Sequence, residues 1–346
     1  MVTIKEVAET AGVSIATVSR VLSNSSYPVS QDMRTLILKV ARDLDYSPNL
    51  AARSLRTDRS SLIGVIFDNF TSTWGSIITR GLQDVLHSKG YFSLVVNIPW
   101  EIHSQTDVVQ NLLGHSVDGF VFVETWHPID ERKEMLQNKP YVIVHRLFHE
   151  SDPFSIIPDD VYNSKQVVEH LIQLGHQRLG YIMGPESYFS SERRLIGFKE
   201  SLTNANLPIL DEFILRGTWK IPSGYECAKQ MLSSKNPPTA IVAANDHIAY
   251  GALLAIQDSG LRVPDDIAIV GYDDDEVSQT SNPTITTVRM PLFRMGQLAA
   301  ENLLAQVNND EYLPEEQLIK GELIIRQSCG SPLGKHIRAS DYERDD

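Results

Sequence analysis

Seven short apolar runs, separated by helical patterns, constrain this chain more than any other feature. The runs lie at 62–67, 92–96, 119–123, 141–144, 179–183, 240–243 and 267–270. Between them, amphipathic patterns cover 77–89, 161–174, 194–204, 223–232 and 247–258. Apolar runs of this length with little polar alternation are strands buried on both faces, and strands that alternate with helices pair in parallel. The expected fold class is therefore α/β, with parallel sheets flanked by helices. The repetition continues too long for one comfortable sheet, and 346 residues suit two or three domains.

The first residues follow a different rule. Thr3 and Glu6 stand at capping-box spacing, and Ile4, Val7, Ala8 and Ala11 recur with helical period. Gly12 permits a left-handed stop. Ser14 can cap a second helix whose apolar side is Val18, Val21 and Leu22. A third helix is expected from a Ser30 cap through Leu36, Ile37, Val40, Ala41 and Leu44, closing a small core. The second helix would turn Ile15, Ala16, Thr17, Ser19 and Arg20 outward. Small residues allow close approach to a duplex, hydroxyls bond phosphates, and Arg can reach the paired acceptors of a guanine. A plain three-helix bundle would show much of the same pattern.

Charge separates the two parts. The chain carries −13 overall, yet residues 1–60 hold eight Lys and Arg against six Asp and Glu. A slightly basic head on an acidic body confines nucleic-acid contact to one end. After the head comes YSPNLAARSLRT, where Ser47 can cap a helix and Pro48 suits its first position. About two turns are too few to be stable alone, so this helix needs a partner.

Here the chain resembles the LacI family of repressors. The matching stretches are VTIKEVAETAGVSIATVSRVLS, YSPNLAARSLRT, GHQRLGYIMGP, RRLIGF, PTAIVAANDHIAYGAL, GLRVPDDIAIVGYDD and PTITTVRMPLFRMG, in the family's order and spread over nearly the whole chain. The resemblance implies a helix-turn-helix head at 1–46, a hinge helix and linker at 47–60, and a periplasmic-binding-protein-like core at 61–330. That core would hold two subdomains with a cleft between them, the first about 61–160 and 290–320, the second about 161–288 and 321–328. It also implies a homodimer on a pseudo-palindromic operator in double-stranded DNA. Arg20 would be the main base reader and Ile15 and Ala16 would set specificity. Thr17, Ser19 and Asn49 would position the backbone, with Thr3, Ser14 and Ala52 completing the DNA-facing set. Leu55 would enter the minor groove as an apolar wedge.

Ligands of open α/β sheets bind beyond the carboxyl ends of strands. Asn69 and Trp74, His145, Trp219, Asn245 and Asp273 all fall at such ends, and Arg194 is expected to begin a helix after one. Charged and amide groups beside indole faces suit a sugar, whose hydroxyls need paired donors and acceptors. The resemblance implies Arg194, Trp219, Asn245 and Asp273 as effector contacts and Trp74 as part of an aromatic wall. It places Tyr188 in a loop that contacts the ligand in purine-type members. His145 stands where the family commonly has Asp, which alters the expected hydroxyl pattern. Taken singly, Asn245 and Asp273 read equally well as helix caps; core for Trp219 and a solvated helix position for Arg194 are the lesser alternatives.

No phosphate loop, nucleophile elbow or zinc set is present in the sequence, so an enzyme and a cofactor are not expected. The acidic run Asp273 to Glu276 lacks the spacing of a calcium loop, so no metal is expected either. Cys227 and Cys329 are far apart and form no redox motif. No apolar run is long enough to span a bilayer, and the N-terminus opens on a capped helix rather than a leader, so the chain reads as cytoplasmic with no membrane partner. The polar end, 331–346, is expected to be disordered and has no leucine heptads. The expected function is a repressor of carbohydrate-use genes controlled by a small ligand, a sugar being favoured. Alternatives are a purine- or nucleoside-responsive co-repressed regulator and a sugar-binding transport protein.

Overall fold

The computed structural model describes residues 2–22, 28–47, 59–67, 73–98, 105–123, 136–145, 152–310 and 315–332. The hinge-helix expectations, including Asn49, Ala52 and Leu55, lie outside these residues, as do Asn69 and the chain beyond 332. Two compact units divide after Ser61.

In the first unit, helix α1 (Ile4–Ala11) opens on the full capping box, with Thr3 N–H donating to Glu6 at 2.6 Å and Glu6 N–H to the Thr3 hydroxyl at 3.4 Å. Gly12 ends it at φ 67°. Helix α2 (Ile15–Leu22) starts from Ser14, whose Oγ accepts the Thr17 N–H at 3.1 Å. Helix α3 (Gln31–Asp43) is capped by Ser30, which accepts from Met33 N–H. Val7, Ala8, Val18, Val21, Ile37 and Ala41 form the core, with Met33, Val40, Leu44 and Tyr46 packed against it. Leu36 does not join them, being 43% exposed. At 100° per residue it lies about a quarter-turn from Ile37, beyond the edge of the buried stripe, and Met33 takes the inward place.

The second unit contains two parallel sheets. The first joins β1 (Leu62–Phe67), β2 (Phe92–Asn97), β3 (Gly119–Val123), β4 (Tyr141–Val144), β5 (Ser155–Pro158) and β11 (Gln317–Ile319) in the order β11-β5-β4-β3-β1-β2. The second joins β6 (Leu179–Met183), β7 (Ile214–Arg216), β8 (Ala240–Ala243) and β9 (Ala268–Val270) in the order β7-β6-β8-β9. Each sheet with its helices is a lobe. Strands β10 (Thr287–Arg289) and β12 (Glu322–Ile324) pair antiparallel, Thr287 opposite Ile324. Backbone bonds from Gly271 to Thr286, Asp273 to Val288 and Ile269 to Ser328 fasten this ribbon to the second lobe.

Helices α4 (Thr73–Ser88), α5 (Gln105–Gly114) and α11 (Leu292–Asn308) belong to the first lobe. Helices α6 (Asp160–Gln173), α7 (Phe189–Asn204), α8 (Ile221–Leu232), α9 (Asp246–Asp258) and the short α10 (Glu276–Thr280) belong to the second. In each lobe one helix pair meets almost backbone to backbone through reciprocal glycines. A Cβ on Gly81 would stand 2.1 Å from the Phe293 carbonyl oxygen, and one on Gly296 2.0 Å from that of Ile78. Gly224 and Gly251 face the carbonyls of Ile248 and Ile221 in the same way, at 2.1 and 2.0 Å. Ala at any of the four would drive the helices apart. Among the described residues no helix is long and apolar enough to cross a membrane.

Candidate functional site

On the head, the outward face of α2 carries Ile15, 47% exposed, together with exposed Ala16 and Arg20 and half-buried Thr17 and Ser19. Ser14 is exposed, and its hydroxyl lies 2.8 Å from that of Thr17. Thr3 is exposed too, with its backbone N–H and hydroxyl both turned to Glu6. Those two donors hold the Glu6 carboxyl below its usual range. The face is shallow, hydroxyl-rich and ends in one cation, which permits close approach to a phosphate-lined groove.

In the second unit the residues after β4, β7, β8 and β9 converge. Arg194 does not begin a helix. It lies in the second turn of α7, 2% exposed, because the helix starts five residues earlier at Phe189. Its Nε donates to Asp160 Oδ1 at 2.8 Å and its Nη1 to the Ala244 carbonyl. Its guanidinium lies 3.6 Å from the ring centre of Tyr272 and 5.9 Å from that of Trp219. Tyr272 OH donates to the same Asp160 oxygen at 2.9 Å. Burial opposes the Arg194 charge, but Asp160, then Tyr272 and Asp273, outweigh it and hold the group firmly cationic.

Asp273 answers Arg194 from the end of β9. Its Oδ1 is 3.5 Å from Nη1, yet this buried oxygen has no hydrogen-bond partner. Burial raises its carboxyl well above the ordinary range, against the pull of Arg194. Asp273 caps no helix; Asp275 does so for α10, with its Oδ1 accepting the Glu276 N–H. Asp274 is paired with Arg289 at 2.7 Å and with the fully buried Arg326. Asp274 and Asp275 are thus taken up by arginines and a cap.

Asn245 is a cap: its Oδ1 accepts the Ile248 N–H at 2.8 Å. Its Nδ2 donates to the Trp219 carbonyl at 3.2 Å, which fixes the loop carrying that indole. The Trp219 ring packs over Gly184, where any Cβ would come within 2.3 Å of it, and meets Tyr188 edge to face at 5.4 Å. Trp219 Nε1 is buried without a partner. From the first lobe come Trp74, in the first turn of α4, and buried His145, with rings 4.7 Å apart. Burial, then the Arg194 charge, pushes His145 down to about 3, so the imidazole is neutral.

His145, Trp219, Asp273 and Asp274 all have positive φ, at 54°, 63°, 110° and 56°. Non-glycine residues seldom adopt such angles, which cost backbone energy. Asp160, Tyr272 and Gly184 escaped the sequence reading. Asp160 follows β5, so the strand-end rule finds it once that four-residue strand is recognised.

Comparison with known proteins identifies the family and the fold. Residues 3–49 match the model of the bacterial regulatory proteins, lacI family, and residues 168–329 match the periplasmic binding protein-like domain. A probable HTH-type transcriptional repressor, ExuR of Bacillus subtilis (strain 168), is 32% identical over 95% of this chain and 98% of its own length. The crystal structure of the lac repressor dimer bound to operator and the anti-inducer ONPF superposes with a TM-score of 0.80 at 32% identity, over 95% of this chain and 99% of that one. The transcriptional regulator CelR in complex with cellobiose matches with a TM-score of 0.68 at 27% identity, over 95% and 100%. These relatives are transcriptional regulators rather than enzymes. With a head and a core that both follow theirs from end to end, this chain belongs to the LacI family of ligand-regulated, DNA-binding transcriptional regulators.

Proposed function

We propose that this protein is a homodimeric repressor of carbohydrate-use genes whose operator affinity is set by a sugar or sugar derivative bound between the lobes. One observation carries the ligand class: a buried donor, Trp219 Nε1, and a buried acceptor, Asp273 Oδ1, both lack hydrogen-bond partners beside a fixed guanidinium. A buried polar atom without a partner costs free energy, which a ligand hydroxyl would relieve. The indole and phenol faces of Trp219, Tyr188 and Trp74 suit the apolar faces of a pyranose ring. CelR, whose whole chain this one matches, is solved in complex with cellobiose.

Arg20 reads base edges, with Ile15 and Ala16 shaping the fit. Thr3, Ser14, Thr17 and Ser19 position the phosphates, Asn49 and Ala52 extend that contact, and Leu55 is the minor-groove wedge. The homodimer is supported by the lac repressor relative, itself a dimer, and by exposed apolar residues along the β2 edge and α4, where Phe92 is 59% and Val95 38% exposed and Ile77 is also exposed. The protein would act in the cytoplasm, where its operator lies. Ligand and operator binding are linked reciprocally, so a ligand that weakens DNA binding is weakened by DNA to the same degree.

The test is a thermal-shift panel of sugars, sugar phosphates and purines on wild type and Asp273→Ala. A native-state ligand raises Tm. A sugar that raises Tm in wild type only is the expected result; a rise with purines alone, or one that survives Asp273→Ala intact, overturns the reading.

A further inference from the structure

Helix α6 touches both the cleft and a strand on which the chain crosses between lobes. Its first residue, Asp160, holds Arg194 and Tyr272. One turn on, the fully buried Asn163 accepts the Gly321 N–H through Oδ1 at 2.8 Å. Gln166 then donates to the Gly321 carbonyl at 3.3 Å. Asp159 N–H bonds the Ile319 carbonyl at 2.9 Å, and the Lys320 ammonium lies 4.2 Å from the Tyr162 ring centre. Residues 319–321, the passage from β11 to β12, are thus held along the start of one helix. A second passage leans on the same point, since a Cβ on Gly321 would stand 2.8 Å from the Arg289 carbonyl oxygen at the end of β10. The Asn163 Nδ2 is buried with no hydrogen-bond partner, and a Cβ on Gly321 would stand 3.3 Å from it.

We propose that Asn163 is a positioning residue that transmits the state of the Arg194–Asp160–Tyr272 cluster to the lobe crossing at Gly321. The inference rests on the cleft being the effector site, as proposed above. One turn of α6 spans the two places: Asp160 holds the cluster and Asn163, three residues on, holds the crossing. A displacement of the phenol or of the first turn of α6 therefore changes the bond at Gly321, whereas a side chain without the amide would not pass it on. Such coupling is a free energy between two positions, and a double-mutant cycle measures it.

The experiment is hydrogen exchange at the Gly321 amide in the full-length, ligand-free protein, since exchange reads local opening. Tyr272→Phe removes the hydroxyl that bonds Asp160. It should speed exchange at Gly321 several-fold while Asn163 is present. Asn163→Ala alone should speed it about tenfold, the loss of one buried hydrogen bond, and Tyr272→Phe should then add nothing. Gln166→Ala loosens the crossing without touching the phenol, so the Tyr272→Phe effect should persist in it. Should Asn163→Ala fail to fold, Asn163→Ser is too short to reach Gly321 and takes its place. An unchanged Gly321 rate in Tyr272→Phe, or an equal change with and without Asn163, overturns the proposal. The cycle uses no ligand, so a panel in which no sugar shifts Tm would sink the sugar reading and leave this result to stand or fall alone.

Discussion

The two lobes bring different chemistry to the cleft. On the second lobe Arg194, Asn245 and Asp160 are already bonded to neighbours, and Asp273 and Trp219 stand between them on strained backbone. On the first lobe the described contributions are two rings, Trp74 and a neutral His145. Burying a cation is tolerable only with its partners in place, so the charged side of the site has to be prepaid by folding. Rings need no such preparation and can close on a ligand from the other side. On the proposed reading, one lobe recognises the polar groups of the ligand and the other covers them.

The sharpest way to break that comparison is Asp160→Ala. It strands the buried Arg194 charge, and we expect a loss of about 3–5 kcal/mol of folding stability by urea denaturation; a loss under about 1 kcal/mol would mean that Arg194 is not held as described. Next comes Asp273→Ala, expected to weaken the binding of whichever sugar shifts Tm by about 2–3 kcal/mol in calorimetry, with the fold intact. Trp74→Ala, on the covering lobe, should cost about 1–2 kcal/mol of the same affinity. A first-lobe loss larger than that of Asp273→Ala would reverse the assignment of roles.

Protons should distinguish the lobes more gently, by at most about 1.4 kcal/mol per pH unit. Burial pushes Asp246, on the second lobe, up to about 8, against hydrogen bonds from Thr287 and the Asp275 N–H. A raised folded value means its contribution is full below the unfolded carboxyl range near pH 4 and is lost as pH rises through about 8. His145, on the first lobe, is depressed from 6.5 to about 3, so its contribution is present above 6.5 and lost as pH falls toward 3. Unfolding curves at pH 5 and 8 should therefore move in opposite directions relative to wild type for His145→Phe and Asp246→Asn. Parallel shifts would show that the two environments do not differ as stated.

The sequence made the long buried strands legible, because β1, β3, β4, β6 and β8 are runs of apolar residues with no alternative use. The crossings were legible only through the family resemblance and not from any local pattern. Strands β10, β11 and β12 have three residues each, and Thr287 meets Ile324 across a gap that no local pattern records. The candidate site was legible where a polar residue follows a recognisable strand, as at Trp219, Asn245 and Asp273. It was hidden at Asp160, behind a four-residue strand ending in Pro158. Arg194 looked like a helix start because its apolar neighbours begin there, while the true first turn, Phe189 to Glu192, is polar enough to pass for loop. On the head, Leu36 was misassigned because apolar character and helical phase disagree there, and phase decides burial.

The reciprocal glycines bear on how such a molecule can move. Gly81 with Gly296 and Gly224 with Gly251 bring pairs of helices so close that carbonyl oxygens occupy the space of a missing side chain. Surfaces meshed at that depth cannot slide without clashing, so these helix pairs resist shear and leave the short crossings as the place where the lobes would turn. A designer wanting a less responsive regulator would leave the pocket alone and stiffen those few residues.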